Sequence, residues 1–317
     1  VLNDQGLQEQ FEQDGFVRLP LLGKDEIQVL RAELRELRPH DRFIPDERTS
    51  GASYHCSFLD TNLAYRRQVS ELLRRVFQPH VDRVLAGYEI LNCNFYIKPP
   101  GKGEFTVHQN WPGAELDVTT VTLWCPLVET RVENGAIRVV PGSQKLFPHI
   151  ETAGVPGYFA GFAEKLKQRH LEAIPMGAGE AIIFDDSLLH WSGANRSDEP
   201  RVAIQISCIP RGTTPLIFIP SGEGFEKIAA DAEFYLTNQA SDLRARQPCW
   251  RSLGFVPSPN RRISYREFRS ALDAANSRRG RPAPARRGRL FRSPLASLVA
   301  EIQRCLRPSP LLRRLRR

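Results

Sequence analysis

The sequence predicts an α+β, mainly β protein, with helices in front, a β-rich middle folded as a sandwich or jelly roll, and helical character again near the end. Three observations carry this reading. Apolar residues in the first 80 positions recur at helical spacing. From about residue 86 they fall instead into short or alternating runs, and Gly/Pro turns punctuate those runs. Helices followed by a block of strands read as α+β rather than as an alternating α/β protein.

Residues 4–14 are amphipathic through Leu7 and Phe11 and predict a helix, and Gly15–Pro20 then read as a short strand and a turn. Ile27, Leu30, Leu34 and Leu37 mark a second helix over 24–38. A third over 60–80 carries Leu63, Val69, Leu72, Leu73 and Val76, with its end near Pro79. The strand-like runs are Tyr88–Lys98, Phe105–His108, Thr119–Leu127, Ala136–Val140, Ala181–Phe184 and Val202–Pro210. Pro99-Pro100-Gly101, Asn134-Gly135, Pro141-Gly142 and Gly177–Gly179 supply turns. Residues 222–275 return to mixed helical character, in Phe225–Leu236 and Tyr265–Ala275.

The formal charge of +8 and the pI near 9.4 would by themselves suggest a polyanionic partner. That charge is local. Residues 278–317 hold 13 arginines and a single acid, Glu301, for a net +12, which leaves −4 for residues 1–277. The expected organisation is therefore one domain over 1–277 and an arginine-rich tail over 278–317. The tail begins with a low-complexity Arg/Pro/Gly/Ala linker and continues into a short amphipathic stretch through Phe291, Leu295, Leu298, Val299, Ile302 and Leu306. Such a stretch flanked by arginines suits peripheral contact with an anionic membrane or an acidic partner. It lacks the interleaved aromatics of a nucleic-acid stacking platform, so no specific nucleic acid is expected.

No run of 18 apolar residues suggests a transmembrane span, and the polar start predicts no secretory signal. Six cysteines at 56, 93, 125, 208, 249 and 305 are never closer than 32 residues, which excludes a zinc site built from Cys-x-x-Cys pairs. They read as reduced thiols of a cytoplasmic protein, with the tail as its one route to a membrane surface.

The densest chemical signal is His108-Gln109-Asn110-Trp111, together with His190 and Arg201 far downstream. On a strand, residues 108 and 110 share a face and Gln109 points away. A second histidine from a distant strand would complete a three-ligand face of the kind that holds non-heme Fe(II). Two histidines in a β protein are equally compatible with ordinary core positions, so spacing leaves the matter open.

Longer stretches extend the signal. They are Phe11–Val17, Phe105–Trp111, Val121–Leu127 leading to Glu133–Ser143, and His190–Ser197 followed by Pro200-Arg201. In order and spacing these resemble the phytanoyl-CoA dioxygenase family of Fe(II)/2-oxoglutarate oxygenases, from about residue 5 to 210 and on towards 270. The resemblance implies a double-stranded β-helix (a cupin-like jelly roll) flanked by N-terminal and C-terminal helices. It also implies an Fe(II)- and 2-oxoglutarate-dependent dioxygenase that uses O2 to hydroxylate a small-molecule or natural-product substrate. His108 would take the first metal position and His190 the distal one. Arg201, eleven residues after His190, matches the arginine that pairs with the far carboxylate of 2-oxoglutarate, a task suited to a permanently charged bidentate donor. Lys98 is a second candidate for an acidic cosubstrate or else a solvated strand end. Asn94, Tyr96 and Trp124 would alternate into the barrel, with Trp124 a candidate beside the cosubstrate.

The departure is Asn110, which stands where the family has His-x-Asp. Three readings stay open at this point. Asn110 could ligate through its neutral carbonyl oxygen and keep an oxygenase. It could leave a position to water or chloride, as in halogenating relatives, although Asn is bulkier than the Gly or Ala usual there. Or the protein could be a non-catalytic binding module on the same barrel. Glu115, Asp117, Asp185 and Asp186 are the nearby acids that could replace the carboxylate, and Asp186, at an even spacing from His190, would share its face on a regular strand, but all four are read here as loop and rim residues. His55, His80, His149 and His170 show no ligand spacing.

Overall fold

A computed structural model describes residues 1–45, 47, 52–239, 241–244 and 246–279. The chain divides into a unit of Val1–Arg281 and one of Pro282–Arg317. The expected tail, with its linker, its amphipathic stretch and its membrane or acidic-partner contact, lies from residue 280 onward outside the described residues. Among the described residues no helix is long and apolar enough to cross a membrane.

Asp4 caps α1 (Gln5–Asp14) by accepting the Leu7 N–H at 2.8 Å. Gly15 ends the helix at φ 83°, and a Cβ there would lie 2.6 Å from Gln144 Oε1, so the chain turns directly into β1 (Phe16–Pro20). Helix α2 (Lys24–Glu36) buries Ile27, Leu30 and Leu34, while Leu37 is an extended cap residue. After the two-residue strand β2 (His55–Cys56), α3 (Leu63–Val84) runs past Pro79, where the sequence predicted its end. A proline inside a helix costs about 3 kcal/mol. Val81 and Val84 beyond it are buried, and burial of such a side chain contributes roughly 1.5–3 kcal/mol, so the helix continues.

The strands that follow are β3 (Tyr88–Lys98), β4 (Val121–Pro126) and β5 (Ile137–Val139). Helix α4 (Ala163–Arg169) separates these from β6 (Glu172–Ala173), β7 (Glu180–Asp185), β8 (His190–Ser192) and β9 (Arg201–Pro210). Six of them form one antiparallel sheet in the order β1-β7-β4-β9-β3-β2, and β6-β5-β8 form a smaller one. In the large sheet, alternation divides the side chains. Cys93, Phe95, Leu123, Cys125, Ile204 and Ile206 pack with Tyr65, Val69, Leu73 and Phe77 of α3 in one apolar cluster. Asn94, Tyr96, Thr122, Trp124, Arg201 and Gln205 turn the other way, into a cavity that Ile137 and His190 of the smaller sheet also line.

Two expectations for the strands need correction. Phe105–His108 is not a regular strand. Phe105 N–H donates to Ser192 O at 2.9 Å and His108 N–H to His190 O at 3.1 Å, so three steps on one side face two on the other and the ladder breaks. Phe225–Leu236 is not one helical segment either. It splits into β11 (Gly224–Ala229) and, after the Asp231 cap, α5 (Ala232–Thr237). β11 is the centre of a third antiparallel sheet, between β10 (Leu216–Ser221) and β12 (Ser252–Pro257). Glu226 and Ile228 are buried while Lys227 and Ala229 are not, a short alternation obscured in the sequence by the helix-forming residues after it. The last helix, α6 (Tyr265–Arg278), starts at a Ser264/Glu267 capping box and drives Phe268 and Leu272 into a cluster with Phe159 and Leu189.

The helical layer behind the sheet thus supports the cavity wall through fully buried side chains such as Phe77. Phe77→Ala is expected to lower unfolding free energy by about 3–5 kcal/mol, read from the urea midpoint. A loss below about 1 kcal/mol would show that α3 is not the backing of the sheet.

Candidate functional site

The cavity measures about 500 Å³, within the range of small-molecule sites. His108 and His190 meet on its wall as an antiparallel bridge, His108 N–H on His190 O at 3.1 Å and His190 N–H on His108 O at 3.0 Å. This exchange holds the imidazoles side by side, with ring centroids 4.2 Å apart. Each ring is fixed in the same way. His108 Nδ1–H donates to Thr106 O at 2.8 Å, and His190 Nδ1–H donates to Leu188 O at 2.9 Å. With Nδ1 as the donor, the lone pair of each neutral ring sits on Nε2, the tautomer a metal requires. Burial pushes the His108 pKa down, and burial with the neighbouring His108 ring holds His190 well below the ordinary imidazole range. Both rings are therefore neutral at pH 7, the form in which an imidazole can ligate a metal.

Asn110 also faces the cavity. Its Nδ2 donates to Thr122 Oγ1 at 2.7 Å and to Asp186 Oδ1 at 2.8 Å. Asp186, expected on a loop or rim, is instead buried and follows Ile182 and Phe184 on the inward face as β7 ends. It accepts the Thr122 hydroxyl on Oδ1 and the Thr120 hydroxyl on Oδ2, each at 2.6 Å. Burial pushes its pKa up to about 6, against those three donors. Glu151 is buried in the cavity lining within electrostatic reach of His108, while the other acids noted in the sequence are engaged elsewhere or exposed. Asp185 accepts from Ser187, Glu115 pairs with Lys227 at 2.6 Å, and Asp117 is exposed.

Arg201 opens β9 and is 2% exposed, with its guanidinium carbon 5.1 Å from the Trp124 ring centroid. Its Nε and Nη1 are buried without a hydrogen-bond partner. Burial pushes its pKa down to about 9, so it stays charged at pH 7. A buried cation left this way is costly unless a ligand completes it. Nearby, the Tyr96 hydroxyl donates to Gln205 Oε1 at 2.7 Å.

Lys98 pairs in register with Arg201 across β3 and β9, but it neither ends in solvent nor lines the cavity. It is fully buried, and Nζ donates to Ser192 O at 3.2 Å, Ser192 Oγ at 2.7 Å and Gly193 O at 2.7 Å. Burial and the Arg201 charge push its pKa down, while three oxygen acceptors favour the charged form. All three donors are engaged, so Lys98 braces the end of β8 rather than greeting a cosubstrate. Gln109, expected to point away, is held by Nε2 on Ser187 O at 2.5 Å beside the cavity, because residues 105–110 do not alternate as a strand. Elsewhere Asp41, His55 and Asp60 lie close enough to share a cation. They are already engaged: His55 bridges Asp41 and Tyr65, and Asp60 accepts the backbone N–H groups of His40, Asp41 and Asn62.

The phytanoyl-CoA dioxygenase (PhyH) family matches residues 11–203, a span that contains His108, Asn110, His190 and Arg201. The ectoine dioxygenase of Streptomyces avermitilis is 28% identical over 228 residues, covering 61% of this chain and 74% of that protein. A phytanoyl-CoA dioxygenase domain-containing protein 1 homolog of Caenorhabditis elegans is 28% identical over 101 residues, 29% of this chain and 35% of that one. Among solved structures, the non-heme alpha ketoglutarate dependent carbocyclase SnoK from nogalamycin biosynthesis is similar in fold. Its TM-score is 0.51 at 20% identity, covering 67% of this chain and 86% of that one.

The three hydrogen bonds of Lys98 make a specific expectation. Lys98→Met should destabilise the protein by about 1–3 kcal/mol in thermal or urea unfolding, by stranding the Ser192 and Gly193 oxygens. Carboxylate binding in the cavity should stay within about threefold. Unchanged stability with 2-oxoglutarate binding weakened tenfold or more (about 1.4 kcal/mol) would restore Lys98 as a cosubstrate ligand.

Proposed function

The chain belongs to the phytanoyl-CoA dioxygenase family of Fe(II)/2-oxoglutarate-dependent dioxygenases, and on that premise we propose that it hydroxylates a small-molecule or natural-product substrate within this cavity. In this reading the metal-binding set is His108, Asn110 and His190, and Arg201 anchors 2-oxoglutarate. The six-stranded sheet and the β6-β5-β8 sheet are read as the two halves of a double-stranded β-helix. The observation that carries the proposal is the buried Arg201 guanidinium with Nε and Nη1 unpartnered.

The donor set suits the metal. Two neutral imidazoles present Nε2 from adjacent positions, and the amide NH2 of Asn110 is engaged by Thr122 and Asp186, so Oδ1 is the amide atom that could serve a metal. Imidazole and oxygen donors are ligands Fe(II) accepts. When bound, Fe(II) with 2-oxoglutarate and O2 supplies the oxidising chemistry for hydroxylating a C–H bond. The chain does the rest. Arg201 would take the far carboxylate as a bidentate partner, with Trp124 beneath the guanidinium fixing its direction. Tyr54, Phe58, Phe105 and Trp111 supply apolar walls that exclude water, and Asn94 and Gln205 offer polar contacts that orient a substrate.

Asn110 and its anchors fill the third position, which supports an oxygenase over a halogenase with an open chloride position. A non-catalytic binding module remains the contrasting outcome of the test. Anaerobic titration of the protein with Fe(II) and 2-oxoglutarate should develop a visible charge-transfer band. His190→Ala should abolish it. Arg201→Met should weaken 2-oxoglutarate binding by about thirtyfold or more, since leaving one partner of a buried charge pair alone costs roughly 2–5 kcal/mol. No band at high metal would point to the binding module, and a product that forms only with chloride would point to the halogenase.

A further inference from the structure

The residue that replaces the family's metal-binding carboxylate is neutral, yet a carboxylate is present one hydrogen bond behind it. Asn110 Nδ2 lies 2.8 Å from Asp186 Oδ1 and 2.7 Å from Thr122 Oγ1. The backbone fastens the same two residues, Asn110 N–H to Asp186 O at 2.8 Å, and Asp186 N–H to Thr120 O at 3.1 Å. Both carboxylate oxygens are engaged: Oδ1 accepts from Asn110 and Thr122, and Oδ2 accepts from Thr120. We infer that Asp186 is a positioning residue for the metal site, holding the Asn110 amide so that Oδ1 faces the His108–His190 pair and lending that oxygen the negative charge the first position lacks.

The chemistry has two parts. The first is orientation. A free asparagine presents oxygen or nitrogen with little preference, and its NH2 is useless to a cation. Here two acceptors, Asp186 Oδ1 and Thr122 Oγ1, hold the NH2, and the rest of the Thr–Asp chain fixes those acceptors in turn. The second is polarisation. Donation from an amide N–H to a carboxylate shifts electron density towards the amide oxygen, as a carboxylate behind a histidine raises its strength as a ligand. In this arrangement Asp186 acts through Asn110 and is not itself the ligand, its two oxygens already receiving three hydrogen bonds from Asn110, Thr122 and Thr120. The site thus keeps its negative charge but moves it from the coordinating residue to the residue behind.

This inference rests on the reading of His108, Asn110 and His190 as the metal-binding set, and its test requires no turnover. Anaerobic Co(II) binding to the full chain, followed by calorimetry and by the visible Co(II) spectrum, is compared for the native protein, Asp186→Asn and the exchange Asn110→Asp with Asp186→Asn. Asp186→Asn should weaken Co(II) binding by about 10–100-fold, the usual effect of removing a partner behind a ligand. The exchange should restore affinity to within about threefold of native or better, since it returns a carboxylate to the coordinating position with an amide donor behind it. The Co(II) spectrum of folded Asp186→Asn separates this from a purely structural role, which would leave the ligand set and its spectrum unchanged. Thermal unfolding of the metal-free proteins reports whether each variant is folded, and the exchange keeps side-chain volume should the single variant fold poorly. Asp186→Asn binding Co(II) as tightly as native would overturn the inference while leaving the metal site intact. Loss of binding that the exchange fails to rescue would overturn it in favour of Asp186 as a direct ligand. If the native protein binds no Co(II) at all, the metal-site reading falls, and this inference with it.

Discussion

A guanidinium without a partner, buried at the start of a strand, constrains everything around the cavity. Arg201 sits opposite Lys98 in the β3–β9 ladder, so two basic side chains start from neighbouring positions of one sheet. The fold separates their roles by what each can reach. Lys98 is drawn to the Ser192 and Gly193 oxygens and satisfied there. Arg201 lies over Trp124 with Nε and Nη1 unmatched. Burial of such a group calls for compensation, and in the proposed reading the far carboxylate of 2-oxoglutarate supplies it.

The second organising feature is the short bridge between His108 and His190. One copy of the exchanged backbone hydrogen bonds brings together residues 82 positions apart in sequence, and two i−2 carbonyls set the tautomer of both rings. The bridge is brief because the ladder breaks on either side of it. That break releases residues 109 and 110 from strict alternation and lets Asn110 reach Thr122 and Asp186. Irregular backbone at the site is thus the means by which a side chain from a loop and one from the end of β7 meet.

Much of this architecture could be read before any coordinates. Helical spacing located α1, α2 and α3, because one buried face per helix imposes a period on the sequence, and the long apolar runs located β3, β4, β7 and β9, of which β4 and β7 are buried on both faces. Four of the site positions, His108, Asn110, His190 and Arg201, were readable from their order and from the resemblance, and all line the cavity. What was not readable depended on tertiary context. Pro79 looked like a helix end because local rules do not include the core that Val81 and Val84 enter. Lys98 looked solvated or cosubstrate-facing, since nothing in a sequence tells that Ser192 would bend back onto it. Asp186 was read as a loop or rim acid although its even spacing from His190 allowed a shared face, and it does lie in the turn after β7 but buried. Counted from Ile182 and Phe184 instead, its even spacing placed it on the inward face, and that was the signal available.

Position 110 is decisive, because an amide whose NH2 donates to a buried carboxylate is assigned the place of a metal-binding carboxylate. The most direct measurement is an anaerobic crystal structure of the protein with Fe(II) and 2-oxoglutarate. The account predicts His108 Nε2, His190 Nε2 and Asn110 Oδ1 at bonding distance from the metal, Asp186 still hydrogen-bonded to Asn110 Nδ2, and the far carboxylate of 2-oxoglutarate on Arg201. Metal bound by Asp186 with Asn110 turned away, or 2-oxoglutarate seated without contact to Arg201, would contradict it.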